Sequence, residues 1–238
     1  MKYLLMINTD ESAEATLREP ELAALVERYT AVTRTLQADG KWVSAARLRF
    51  SAEARTIRRR GADTVVFDGP FAESKEVLGG FYLIDATSNE EAVQWAKKLP
   101  LRGRASVEVR PARTGATWRG PIRPSRQFAV LFIADSDKPL SRAQVFDAID
   151  AHYELSLELA AQGKFVSSRS LDLPSTSATV RWKNGEHVVT DGPFAESKEF
   201  VAGYFVIACE SGDEAIAWAR RLMVGSDACE VRPVWESA

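Results

Sequence analysis

Cysteine is nearly absent from this chain. Among 238 residues there are two, Cys209 and Cys229, both in the second half. A disulfide framework needs more, so a reduced compartment is the simpler reading. Histidine is as scarce: His152 and His187 show no Cys-x-x-Cys or His-x-x-x-His spacing, and no metal site is expected. Long apolar runs are missing too. The run near the N-terminus, residues 3–7, is too short for a signal-peptide core or a membrane span, which points to the cytoplasm and away from membrane partners. A net charge of −2 provides no basic field to draw in nucleic acid. No phosphate loop, dinucleotide fingerprint or serine nucleophile elbow appears, and no cofactor is expected.

What the chain does contain is a repeat. Asp-Gly-Pro-Phe-Ala-Glu-Ser-Lys-Glu occupies residues 68–76 and recurs unchanged at residues 191–199, an offset of 123. At the same offset Thr56 and Arg58 fall on Thr179 and Arg181, and Trp95 falls on Trp218. Glu-Val-Arg-Pro ends both copies, at residues 108–111 and 230–233. The period is far longer than a solenoid repeat, so each copy is expected to be a domain: residues 1–111 and 127–238, joined by an Arg-, Gly- and Pro-rich linker over residues 112–126.

Each copy opens with an apolar run suited to a buried strand. A helix follows, with Leu22, Leu25, Tyr29, Val32 and Leu36 on one face in copy one. Phe146, Ile149, Tyr153 and Leu157 form the matching stripe in copy two, and Gly40 and Gly163 stand where a C-terminal cap belongs. A hairpin comes next, marked by Asn184-Gly185 in copy two and more weakly by Arg60-Gly61 in copy one. Ser88-x-x-Glu91 and Ser211-x-x-Glu214 read as capping boxes opening a second helix. The order β-α-β-hairpin-β-α-β predicts an α+β fold of the split-βαβ kind, with both helices on one face of an antiparallel sheet. Burying the other face is most economical if the two sheets pack together as an intramolecular pseudo-dimer.

Asp68 and Asp191 end a strand beside a turn, where a carboxylate can be held partly buried near lysine. Such a group could act as a general base or orient a polar ligand. Gly69 and Gly192 could offer amides to an anion, with Glu73, Lys75, Glu196 and Lys198 around them. A plain turn with a solvated charge cluster explains the same residue types. Against it, the flanking sequence has drifted between copies while these nine residues have not. His152 falls opposite Tyr29 in the repeat. A lone imidazole on an apolar helix face is more often core than catalyst. Facing the sheet, it could pair with Asp191, which would fix its tautomer.

The repeated nonapeptide, the following Gly-Gly-Phe-Tyr or Ala-Gly-Tyr-Phe strand, the capped helix with Trp, and Glu-Val-Arg-Pro together resemble the DGPF branch of the YCII-related family. The resemblance covers both copies. It implies two tandem ferredoxin-like domains forming a dimeric α+β barrel, and an active site built on a His–Asp pair with isomerase- or lyase-like acid/base chemistry on a small polar molecule. Only Asp68, Asp191 and His152 match that pair. The resemblance also implies a second role, as a regulatory partner of an extracytoplasmic-function sigma factor.

Overall fold

In the computed structural model, residues 1–71, 76–122, 125–194 and 197–235 are described. The first half runs β1 (Lys2–Thr9), α1 (Glu11–Glu14), α2 (Glu19–Ala38), β2 (Trp42–Arg47), β3 (Arg55–Arg60), β4 (Asp63–Asp68), β5 (Val77–Asp85), α3 (Asn89–Lys97) and β6 (Ser106–Ala112). The second runs β7 (Arg126–Asp135), α4 (Arg142–Ala161), β8 (Phe165–Ser170), β9 (Ala178–Lys183), β10 (Glu186–Asp191), β11 (Glu199–Cys209), α5 (Gly212–Leu222) and β12 (Ala228–Pro233). Among the described residues, α1 has no counterpart in the second half.

Local signals explain most boundaries. Gly40 and Gly163 take φ of 65° and 68°, and the next amides, Lys41 and Lys164, reach back to Leu36 O and Leu159 O at 2.8 Å. The turn in the second hairpin has Asn184 and Gly185 both at positive φ. In the first hairpin the turn pair is Gly61-Ala62 rather than Arg60-Gly61, and only Gly61 has positive φ. Ser88 and Ser211 cap α3 and α5 by accepting the amides of Glu91 and Glu214 at 3.2 Å. The returning carboxylates, however, bind the amides of Thr87 and Glu210, one residue before the cap.

The strands form two six-stranded antiparallel sheets, ordered β10-β9-β6-β1-β5-β2 and β4-β3-β12-β7-β11-β8. Four successive strands of each, β6-β1-β5-β2 and β12-β7-β11-β8, have the ferredoxin-like order. The outer pairs are exchanged. The β9–β10 hairpin of the second copy extends the first copy's sheet, and β3–β4 of the first extends the second's. Two compact units result, and each crosses the boundary between the copies. The first is residues 1–47, 74–112 and 172–196; the second is residues 48–73, 113–171 and 197–238.

The same contacts make both exchanges. In the second unit Thr56 lies opposite Glu230, and in the first Thr179 lies opposite Glu108. Ile57 and Val180 are thereby fully buried in cores of mainly other-copy residues, each worth about 1.5–3 kcal/mol. Glu230 and Arg232 are buried and paired side by side, as are Glu108 and Arg110. The second oxygen of each carboxylate accepts an amide from the incoming hairpin: Phe71 N at 3.0 Å on Glu230, and Phe194 N at 3.4 Å on Glu108. Arg58 and Arg181 donate to the carbonyls of the same phenylalanines, at 3.2 and 2.5 Å.

Two expectations are corrected. The apolar stripe chosen for α4 faces outward: Phe146, Tyr153 and Leu157 are 53%, 61% and 48% exposed. The inward face is Ala148, His152, Leu155 and Leu159. The helix is apolar over much of its circumference, so spacing offered two stripes, and the sheet takes the other. The linker is not free chain either. Arg113, Ser168, Ser170 and Trp118 exchange backbone bonds that lay residues 113–118 along β8. Gly115, with φ 143°, passes so close that a Cβ there would lie 2.1 Å from Ser168 O.

Removing one member of a buried ion pair strands the other. Glu230→Ala should therefore cost about 3–5 kcal/mol in chemical denaturation, whereas Glu230→Met with Arg232→Met should cost far less.

Candidate functional site

The repeated loop is built as a structural turn. Gly69 and Gly192 have φ of 99° and 92°. Their amides, expected to face an anion, are used by Ala54 O and Ser177 O at 2.8 Å. Their carbonyls accept the hydroxyls of Thr56 and Thr179, also at 2.8 Å. Asp68 is not held in a low-dielectric setting: its side chain is 86% exposed and pairs with Arg55 at 2.8 Å. Asp191 is exposed as well and lies opposite Ala178, where the first copy has Arg55. Lys198 is an exposed partner of Asp137 at 2.5 Å. Glu73, Lys75 and Glu196 lie outside the described residues.

His152 is packed in the core of the second unit. Its ring stacks on Phe132 at 5.1 Å and tilts against Phe205 at 5.4 Å. Nε2 lies 2.7 Å from Leu222 O, so the neutral ring with its proton on Nε2 donates there. Asp191 belongs to the first unit, so neither unit by itself holds the His–Asp pair. Cys209 and Cys229 are buried thiols, each pushed up to about 12 by desolvation.

The counterpart of this core in the first unit is polar. Tyr29 stands at the His152 position and Tyr82 at the Phe205 position. Tyr82 Oη lies 3.0 Å from Thr33 Oγ1. Beside Tyr29 a cavity of about 270 Å³ opens, walled by α1, α2 and the segment 100–105. Thr9, Asp10, Glu14, Tyr29 and Arg102 supply its polar lining, with Leu17 and Leu25 as its apolar wall. Asp10 fixes α1 by capping it through Ser12 and Ala13. Desolvation raises the Glu14 carboxyl above its usual range, against the pull of Arg47, a hydrogen bond with Thr9, and Arg102. Burial, with the Glu14 charge adding, also raises the Tyr29 phenol. A carboxyl, a phenol and a guanidinium, one from each wall, thus line the same cavity. Such a set can grip an oxygen of a small molecule and exchange a proton with it.

Glu14 was not legible as a site residue. It sits on a four-residue helix that the second copy lacks, in a stretch reading as ordinary polar surface. The one available signal is a change of offset: Tyr3 corresponds to Phe128 but Tyr29 to His152, so the stretch between strand and helix differs in length between the copies. A second cavity, of 280 Å³ in the second unit, is lined by Arg55, Arg126, Glu53 and Asp213 among others. Its charges are balanced, and Glu53 and Arg55 are already paired with Arg49 and Asp68.

Two ferredoxin-like sheets, a repeated turn locked by a buried glutamate, and the sequence itself define a class. The pattern of the YCII-related domain matches residues 1–114 and again residues 128–238, and the chain belongs to that family. An uncharacterised protein of Rhizobium meliloti (strain 1021) is 40% identical over 115 residues, which is 47% of this chain and 91% of the relative. A crystal structure of a candidate chlorite dismutase aligns over 99% of this chain and 94% of its own, with a TM-score of 0.40 and 7% identity, too slight a likeness to support an argument.

Burial lowers the His152 pKa, with the bond to Leu222 opposing. The unfolded chain therefore takes up a proton on this residue before the folded one does. Stability should fall as pH drops below about 6.5, the ordinary histidine value. His152→Phe should flatten that part of a melting-temperature profile, and an unchanged slope would show that another group carries it.

Proposed function

We propose that the first unit's cavity binds a small polar molecule and transfers a proton on it, with Glu14 as acid and base and Tyr29 as hydrogen-bond donor. The observation that carries this is the Glu14 carboxyl, held toward its protonated form in a cavity beside Arg102 and Tyr29. Isomerase- or lyase-like chemistry needs such a group. The proposal moves the chemistry from Asp68, Asp191 and His152 to residues of one copy. Within the family we place the chain in the branch carrying the repeated Asp-Gly-Pro-Phe turn. The pseudo-dimeric barrel belongs to the same reading, supported by the reciprocal hairpin exchange. A scattering profile of two separate globules would overturn it.

The site has two tests. Since the folded pKa of Glu14 is raised, its contribution to stability is complete below the ordinary glutamate range and is lost as pH rises through the folded value. Glu14→Gln should therefore melt higher than wild type at pH 8, with the gap closing toward pH 4. In a thermal-shift panel of small carboxylates, lactones and keto compounds, at least one should stabilise the wild type and lose that effect in both Glu14→Gln and Tyr29→Phe. Ligands held equally by all three proteins would refute the assignment.

A second reading is favoured by the exposed α4 stripe: a regulatory protein that binds a protein partner, in the family context a sigma factor. Phe146 and Tyr153 present a larger apolar surface than a solvated helix needs. Copurification with a sigma factor, lost in Phe146→Ser/Tyr153→Ser, would support it.

A further inference from the structure

The second unit contains a buried cation with no countercharge among the described residues. Arg169, on β8, is 5% exposed. Nη1 donates to Ser168 O at 2.6 Å, and Nη2 makes a long contact to Thr117 Oγ1 at 3.3 Å. Nε is buried with no hydrogen-bond partner. Among the described residues no carboxylate pairs with this side chain, and the phenolic residue Tyr204 lies directly opposite on β11. Guanidinium does not give up its proton in proteins. Burying it without an anion costs several kcal/mol.

The fold does not demand this arginine. At the repeat-related positions the first unit has Ala46 opposite Phe81, both buried. The same strands pair there with an apolar couple. Arg169 and Tyr204 thus mark a difference between the copies that packing leaves unexplained. The unused edge of the guanidinium, Nε with the weakly held Nη2, has the spacing that takes two oxygens of one oxyanion side-on.

We propose that Arg169 anchors a small ligand bearing a carboxylate or phosphate-type oxyanion on the β8–β11 strands of the second unit. The oxyanion accepts from Nε and Nη2 and supplies the missing charge. This site is separate from the Glu14 cavity and does not depend on it.

The test uses the full chain with inorganic phosphate and, separately, malonate, each against chloride at matched ionic strength. Wild type should show saturable thermal stabilisation and a titration heat with at least one of them. Arg169→Met should fold with a melting temperature no lower than anion-free wild type, because it removes an uncompensated charge, and should bind at least about tenfold more weakly. Arg169→Lys keeps the charge but loses the paired donors and should also bind more weakly. The response should persist in Glu14→Gln. No saturable response in wild type, or an equal one in the Arg169 variants, overturns the proposal. A response lost in Glu14→Gln yet kept in Arg169→Met would do so as well, and would place the anion in the first unit's cavity.

Discussion

Glu108 and Glu230 each place a carboxylate where water does not reach, and the donors that satisfy it hold the rest in place. One oxygen takes the arginine two residues along the same strand. The other takes a phenylalanine amide from the hairpin of the other copy. A buried carboxylate is costly unless its lone pairs are filled, so the arriving turn must present that amide in one place only. The Asp-Gly-Pro-Phe turn does so, and its glycine and threonine bonds fix the geometry. Both motifs are the same in the two copies because they form two halves of one contact.

This accounts for the unchanged Asp-Gly-Pro-Phe part of the nonapeptide without calling on catalysis. Its glycine amides are occupied and its aspartates face solvent. Chemical character instead follows the differences between the copies. Where the second unit closes its core with His152, Phe132 and Phe205, the first has Tyr29, Tyr82 and an added helical turn bearing Glu14. Where the first has Ala46 and Phe81, the second has Arg169 and Tyr204. Duplication leaves each half free to keep the scaffold and change a different polar group.

The element order, the cap glycines and the hairpins were legible because each rests on residues near in sequence. The hairpin exchange was not. Local turn chemistry announces a hairpin, but both copies end in the same Glu-Val-Arg-Pro, so nothing local tells β3 whether to pair with β6 or β12. On α4, apolar residues on two faces made periodicity ambiguous. The candidate sites were hidden for a similar reason. A lone glutamate before a helix and a lone arginine in a strand look like surface until burial is known.

Strand exchange also orders events on the ribosome. Thr56 of β3 pairs with Glu230 of β12, a strand made long after β3 has left the ribosome. Until then β3 and β4 have no sheet to join, and the β6 edge, with Val107 and Val109, waits for β9. Contacts this distant along the chain slow folding and leave sticky edges open meanwhile. A relative made of one copy lacks a second hairpin in the same molecule, so the same exchange would have to occur between two chains and would depend on their concentration. Fusing the copies turns that encounter into a loop closure, at an effective concentration the cell cannot dilute.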